Sequence, residues 1–340
     1  MDSVFSPERI HAAKSLLKKS SNIVITTHKS PDGDAMGSSL ALHHFLIRLG
    51  KQSTLIVPDE FPSFLQWMPG HAEVKVYQKE PEICAQLISS CDLIFALDYN
   101  HFSRTDSLGG LLEMARQPFI LIDHHQQPDS FPEIAFSDTS ACSTAEMVYD
   151  FIQSLGEQDH LDATVGTCIY TGIMTDSGSF RFPSVSAHTH MIVADLIERG
   201  VSHAFIHNQV YDANLLSRLK LVGYALSERL EMLNKRTAII SLDAATLKRF
   251  NYQPGDTEGL VNQALSLKDV NLAIFVREGA NEIKLSFRSK GKFDVNTFAR
   301  KYFHGGGHSN AAGGSSGSSF DAVLTKLRQT LNNLEHELDY

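Results

Sequence analysis

Three short apolar runs constrain this chain most: "NIVITT" (22–27), "DLIFAL" (92–97) and "FILI" (119–122). Each is continuous rather than alternating. That predicts strands buried on both faces, as in a parallel sheet covered by helices. Helical patterns lie between them. The clearest is "DAMGSSLALHHFLIRLG", with Asp34 placed to cap it, apolar residues every three or four positions, and Gly50 as its stop. Residues 143–156, 160–175 and 187–200 read as further helices. Strands alternating with helices predict a doubly wound α/β domain.

The pattern changes in the second half. Residues 203–233 read as one long helix, suited to connecting two domains. Beyond it, 237–242, 270–279 and 281–289 read as strands, the last two meeting at Gly279-Ala280-Asn281 as a hairpin. A helix over 319–337 ends the pattern. The expected architecture is an α/β catalytic domain over 1–200 built on a mainly parallel sheet, a helical connector over 201–233, and a smaller α/β domain over 234–340, with an interdomain cleft. A chain of 340 residues with 42% hydrophobic composition accommodates two such domains.

Net charge of −9 argues against long duplex nucleic acid as a partner, because that affinity comes from neutralised phosphates. A small phosphorylated substrate remains open. The four cysteines (Cys84, Cys91, Cys142, Cys168) form no CxxC and read as free thiols of a reducing compartment. The first 22 residues have no long apolar core, and no apolar run reaches membrane-spanning length. A soluble, cytoplasmic protein without a membrane partner is expected, and a homodimer is compatible with the pattern.

Metal-capable groups follow each apolar run. His28 and then Pro31-Asp32-Gly33-Asp34 follow the first, Asp98 the second, and Asp123-His124-His125 the third. In a parallel sheet these termini share one edge, where open α/β folds bind ligands. Asp176, in "GIMTDSGSF", is a further candidate. "PDGD" alone is an ordinary turn, and an Asp after a strand is often a helix cap. The threefold repetition is what points to a site. His43, His44, His188 and His190 read as packed or solvated helical residues. A carboxylate and imidazole set without cysteine suits Mn²⁺, Mg²⁺ or Fe²⁺. Its four or more acids suit two divalent metals sharing a carboxylate, with Mn²⁺ the foremost choice. Hydrolysis of a phosphate ester or anhydride is the chemistry such a pair serves.

At these residues the chain resembles the DHH phosphoesterase superfamily. "HKSPDGDAMGSSLAL", "ALDYNHFSRTD", "LIDHH" and "GIMTDSGSFRF" resemble its four motifs in order, and "FRSKGKFDVNTFARKYFHGGGHSNAAGG" resembles its DHH-associated C-terminal domain. The resemblance implies that His28 and Asp32 hold one metal, that Asp34, His124 and Asp176 hold the other, and that Asp98 bridges them. It implies that Asp123 supports the site and that His125 contacts the scissile phosphate or supplies a proton to the leaving group.

"HGGGHSNAAGGSSGSS" (304–319) has the composition of a flexible linker, but glycines also let a backbone approach phosphate. Six Lys or Arg and one acid lie between Lys284 and Lys301. Arg288 matches the family's substrate arginine, so Arg288, Gly305, Gly306, Gly307 and His308 are expected to grip the phosphorylated end of a substrate. Phe180 and Phe182 are candidates for stacking on a base, and Arg104 for meeting a phosphate.

Within the superfamily, size and layout resemble the nanoRNase and pAp phosphatase group, related to RecJ-type exonucleases. That resemblance implies cleavage of short RNA to nucleoside monophosphates and dephosphorylation of 3′-phosphoadenosine 5′-phosphate (pAp) to AMP. The alternative is a cyclic dinucleotide phosphodiesterase acting on c-di-AMP or pApA. An exopolyphosphatase and a non-catalytic nucleotide-binding relative fit the residues less well.

Overall fold

The computed structural model describes residues 4–279 and 282–334. It divides into two compact units, Met1–Ala213 and Asn214–Tyr340.

The first unit holds strands β1 (Asn22–Thr26), β2 (Gln52–Val57), β3 (Lys75–Val76), β4 (Leu93–Leu97), β5 (Phe119–Asp123) and β6 (Ile134–Ser137). Its helices are α1 (Pro7–Lys19), α2 (Gly33–Arg48), α3 (Pro81–Ser90), α4 (Gly109–Glu113), α5 (Thr144–Ser154), α6 (Ala163–Asp176), α7 (Ala187–Glu198) and α8 (His203–Tyr211). The strands form one sheet in the order β3-β2-β1-β4-β5-β6, and every pairing is parallel. Strands β4 and β5 are buried along their whole length, as their unbroken apolar runs predict. One core cluster includes Ile25, Phe45, Phe95, Ile122 and Ile169, and another includes Val24, Ile94, Phe119 and Leu121. Alternate residues of each strand thus feed opposite layers.

The strand order reverses between β1 and β4, which opens a crevice beyond their carboxyl ends. Helix α2 leaves that crevice. Its cap is Asp32, whose Oδ1 accepts from the N–H groups of Asp34 and Ala35 at 3.0 Å each. The expected cap, Asp34, instead lies inside the first turn. Helices α2 and α6 pack with almost no space between backbones. A Cβ at Gly37 would lie 2.7 Å from the Cys168 carbonyl oxygen, and one at Gly172 would lie 2.8 Å from Asp34 Oδ1. Small residues on both helices are therefore needed to bring Asp34 towards Asp176.

The second unit holds α9 (Leu216–Glu228), α10 (Ala244–Arg249), α11 (Leu260–Leu265), α12 (Val295–Tyr302) and α13 (Phe320–Asn333). Its strands are β7 (Leu230–Met232), β8 (Thr237–Leu242), β9 (Leu272–Glu278), β10 (Ile283–Ser289), β11 (Gly306–His308) and β12 (Ala311–Ser316), ordered β11-β12-β10-β9-β8-β7. The β9–β10 pairing is antiparallel, as the hairpin reading requires. The hairpin tip at Ala280-Asn281 and the end of the final helix at 335–337 lie outside the described residues.

Two further readings are corrected here. The long helical pattern of 203–233 is two helices, α8 and α9, followed by strand β7; residues 212–215 separate them. The glycine-rich segment is neither linker nor open loop. Gly306–His308 and Ala311–Ser316 are paired antiparallel strands. A Cβ at Gly305 would collide with the Gly313 carbonyl oxygen, so that glycine serves strand packing.

Candidate metal centre

Strand β1 ends at Thr26 and delivers His28, which is buried. Strand β4 ends at Leu97 and delivers Asp98. Strand β5 contains Asp123, and His124 and His125 follow at once. Asp98 takes a left-handed backbone (φ 62°), a strained conformation for a residue with a Cβ. It is held there from both sides. Asp98 N–H donates to the Ile122 carbonyl at 3.2 Å, and the next residue, Tyr99, is fully buried with its hydroxyl 2.7 Å from Thr26 Oγ1.

Within the first unit the side chains converge in three groups, each with donor atoms within 4.8 Å of one another: His28, Asp32 and Asp98; Asp98, Asp123 and His125; and Asp34, His124 and Asp176. His28 Nε2 lies 3.3 Å from Asp98 Oδ2 and 3.9 Å from Asp32 Oδ1. His124 Nε2 lies 3.5 Å from Asp98 Oδ1, 3.6 Å from Asp176 Oδ2 and 3.8 Å from Asp34 Oδ2. Asp98 thus turns its two oxygens to different imidazoles.

The ring orientations carry chemical information. His28 Nδ1 lies 2.8 Å from the Lys29 carbonyl and His124 Nδ1 lies 3.3 Å from the Ala141 carbonyl. A carbonyl only accepts, so each Nδ1 carries a proton and each ring turns its Nε2 on carboxylate oxygens. Among those carboxylates each Nε2 calls for positive charge, either its own proton or a bound cation, and metal-bound imidazoles are oriented in this way. The electrostatics agree. Burial pushes the Asp34 carboxyl well above its usual range, and Asp98, Asp176 and Asp32 push it further. Burial opposes charge on His28, yet its contact with Asp98 raises its pKa; burial likewise opposes charge on His124, and Asp176 and Asp98 outweigh it. The cluster demands positive charge, and its oxygen and nitrogen donors suit hard or borderline divalent cations.

His125 is arranged differently. Its Nδ1 lies 2.7 Å from Asp123 Oδ1, and its backbone N–H donates to Asp123 Oδ2 at 3.0 Å. Asp123 is fully buried, which together with the Asp98 charge raises its pKa to about 6. The positive charge of Arg104, whose carbonyl accepts from Lys29 N–H at 2.7 Å, acts on His28, Asp98 and Asp123.

Sequence reasoning missed the start of α5. The N–H groups of Thr144 and Ala145 donate to Asp34 Oδ2 and Oδ1 at 2.7 and 2.9 Å, and Thr144 Oγ1 donates to Asp98 Oδ1 at 2.9 Å. The carboxylate of Asp34 satisfies two otherwise unpaired donors at a helix N-terminus. "STAE", with Ser143 accepting from Glu146 N–H at 3.1 Å, signals a helix start, but not what its donors face.

The other expected binders lie in the second unit. Register aligns Arg288 with Ala311 and Ala311 with His308 across three adjacent strands. Residues directly opposed in antiparallel strands share a face, so Arg288 and His308 flank the small Ala311 side chain on one face. Asn296 Oδ1 accepts from Gly307 N–H at 3.0 Å and anchors the strand. Phe180 packs against Tyr170 at a ring separation of 5.7 Å, and Phe182 lies against Gly178. His43 and His44 bond to Ser53 and the Pro69 carbonyl, and His188 pairs with Asp150.

A parallel α/β domain with acids and imidazoles gathered at its topological switch point defines a class of protein with a candidate metal centre. The DHH family N-terminal domain matches residues 22–173 and the DHHA1 domain matches residues 237–333. The chain belongs to the DHH family. It is 30% identical to the bifunctional oligoribonuclease and PAP phosphatase NrnA of Thermus thermophilus, over 91% of this chain and 90% of that one. It is 24% identical to the cyclic-di-AMP phosphodiesterase GdpP of Bacillus subtilis, over 95% of this chain and 49% of that one. The solved structure of an exopolyphosphatase-related protein from Bacteroides fragilis superposes with a TM-score of 0.92 at 37% identity, covering 98% of each chain. RecJ of Thermus thermophilus, solved with Mn²⁺, shares the fold at a TM-score of 0.56 and 13% identity, over 96% of this chain and 54% of that one. Among the described residues, no helix is long and apolar enough to cross a membrane.

Proposed function

We propose that this chain is a metal-dependent phosphoric ester hydrolase that cuts short oligoribonucleotides to nucleoside monophosphates and removes the 3′-phosphate of pAp. The observation that carries the reading is the meeting of Asp98 with both imidazole sets, His28 on one oxygen and His124 on the other. His28 and Asp32 would hold one cation, Asp34, His124 and Asp176 a second, with Asp98 shared. Two bound divalent ions, Mn²⁺ foremost, would supply Lewis-acid polarisation of the phosphate and a nucleophilic water.

The chain's own residues do the rest. His125, with Nδ1 against Asp123, would use Nε2 to handle a proton at the leaving oxygen. The buried Asp123 carboxylate supports the imidazolium form and fixes the ring plane. Arg288 and His308, on one face of the second sheet, would bind phosphate oxygens away from the reacting bond, with Arg288 offering a bidentate fork. Gly306, two positions before His308 on β11, adds no side chain to that face, so a nucleotide can approach the backbone there. Similarity to the NrnA relative over nearly the whole chain supports this substrate class.

The test is a competition. The purified chain with Mn²⁺ receives equal amounts of pAp, linear pApA and cyclic di-AMP, and each is followed by chromatography. Loss of pAp and pApA with cyclic di-AMP intact agrees with the proposal. Prompt opening of cyclic di-AMP replaces it with a signalling phosphodiesterase.

A further inference from the structure

We infer that Thr144 is a positioning residue for the metal centre, and that its hydroxyl sets the plane of the Asp98 carboxylate. The inference rests on the metal-centre reading above and adds a residue to it.

The argument begins with the torsion that must be fixed. The terminal torsion of an aspartate is broad, so the carboxylate plane is not set by its own rotamer. Asp98 nevertheless has to present Oδ2 to His28 and Oδ1 to His124 at once. The imidazoles hold it only through long contacts. His28, His124 and His125 stand 3.3, 3.5 and 3.6 Å from its oxygens, beyond good hydrogen-bond length. Thr144 Oγ1 stands at 2.9 Å from Oδ1 and donates to it.

Thr144 is itself held in place. It is fully buried, and its backbone N–H is tied to Asp34 Oδ2 at 2.7 Å, an acid of the His124 set. Ser143 caps the same helix, and Ala145 N–H holds the other oxygen of Asp34. One residue therefore grips the shared carboxylate with its side chain and a carboxylate of the His124 set with its backbone. A hydroxyl on a helix start held in this way fixes the Asp98 plane relative to Asp34 in a way that a solvent-exposed donor could not.

Isothermal titration of the full chain with Mn²⁺ tests this, alongside metal-free thermal melts. Thr144→Val and Thr144→Ala both remove the hydroxyl, the first keeping the volume and the second avoiding overpacking. Thr144→Ser keeps the hydroxyl. The hydroxyl-less variant that melts with the wild type should bind Mn²⁺ roughly 10–100-fold more weakly. Its activity on a chromogenic phosphodiester should return at high Mn²⁺ with unchanged KM, and Thr144→Ser should restore the affinity. Wild-type Mn²⁺ affinity in the hydroxyl-less variants overturns the inference, as does a Thr144→Ser protein as weak as Thr144→Val. A wild-type chain that binds no Mn²⁺ would instead overturn the metal-centre reading itself.

Discussion

His124 Nε2 faces Asp98 Oδ1 at 3.5 Å while Nδ1 is directed at the Ala141 carbonyl on the other side of the ring. Asp176 and Asp98 crowd negative charge around that Nε2 inside a buried site. The position calls for positive charge, a ring proton or a bound cation, because burial removes water's screening. The same geometry recurs at His28, and Asp98 belongs to both.

Asp98 is the shared acid, so Asp98→Asn should lower kcat at least a thousandfold on any phosphoester and reduce the Mn²⁺ bound per chain. Steady-state kinetics at saturating Mn²⁺ and metal analysis of the dialysed protein check this. Turnover near wild type would remove Asp98 from the bridging position.

Arg288 acts on substrate rather than on the reacting centre. Arg288→Ala should raise KM for a short oligoribonucleotide roughly tenfold or more, the scale of a lost charged hydrogen bond. Hydrolysis of a chromogenic phosphodiester should hardly change. Equal losses on both substrates would show that this residue does more than grip phosphate.

The contact of α2 with α6 positions Asp34, and it depends on Gly172. A methyl there would lie 2.5 Å from Ala145 Cβ and 2.8 Å from Asp34 Oδ1. Gly172→Ala should cost about 1–3 kcal/mol of stability, as overpacking does, and should also weaken Mn²⁺ binding. Thermal melts and calorimetry measure the two effects. A variant as stable as wild type would mean that the helices separate more easily than their packing indicates.

The strand runs, their parallel order and the convergence of His28, Asp98 and Asp123-His124-His125 were legible because an apolar run buried on both faces needs no partner to be recognised. What was hidden depended on backbone. The two-residue offset of the α2 cap, from Asp34 to Asp32, leaves composition unchanged. The break at 212–215 contains no Pro or Gly, so the apolar period runs straight through it. The glycine-rich strands carry almost no side chains to alternate, which left β11 and β12 without a strand signature. Thr144 and Ala145 reach Asp34 through N–H groups, which every residue but proline has.

His43 provides a pH signature away from the metal centre. Burial pushes its pKa down from 6.5 to about 4, with His44 adding to the effect. Above pH 6.5 both the folded and unfolded chains hold it neutral. Between 6.5 and 4 the unfolded chain binds the proton and the folded chain does not, so stability falls as pH falls. At pH 5 the loss from this group is at most about 2 kcal/mol. His43→Asn should therefore flatten the acid limb of a denaturation series between pH 7 and 5. An unchanged slope would mean that the ring is protonated in the folded protein.

The most direct measurement is the stoichiometry of Mn²⁺ binding to the metal-free chain by isothermal titration calorimetry. Two Mn²⁺ per chain is the predicted result, since the donors divide into two sets that share Asp98. One Mn²⁺ or none would contradict the two-metal account of the site.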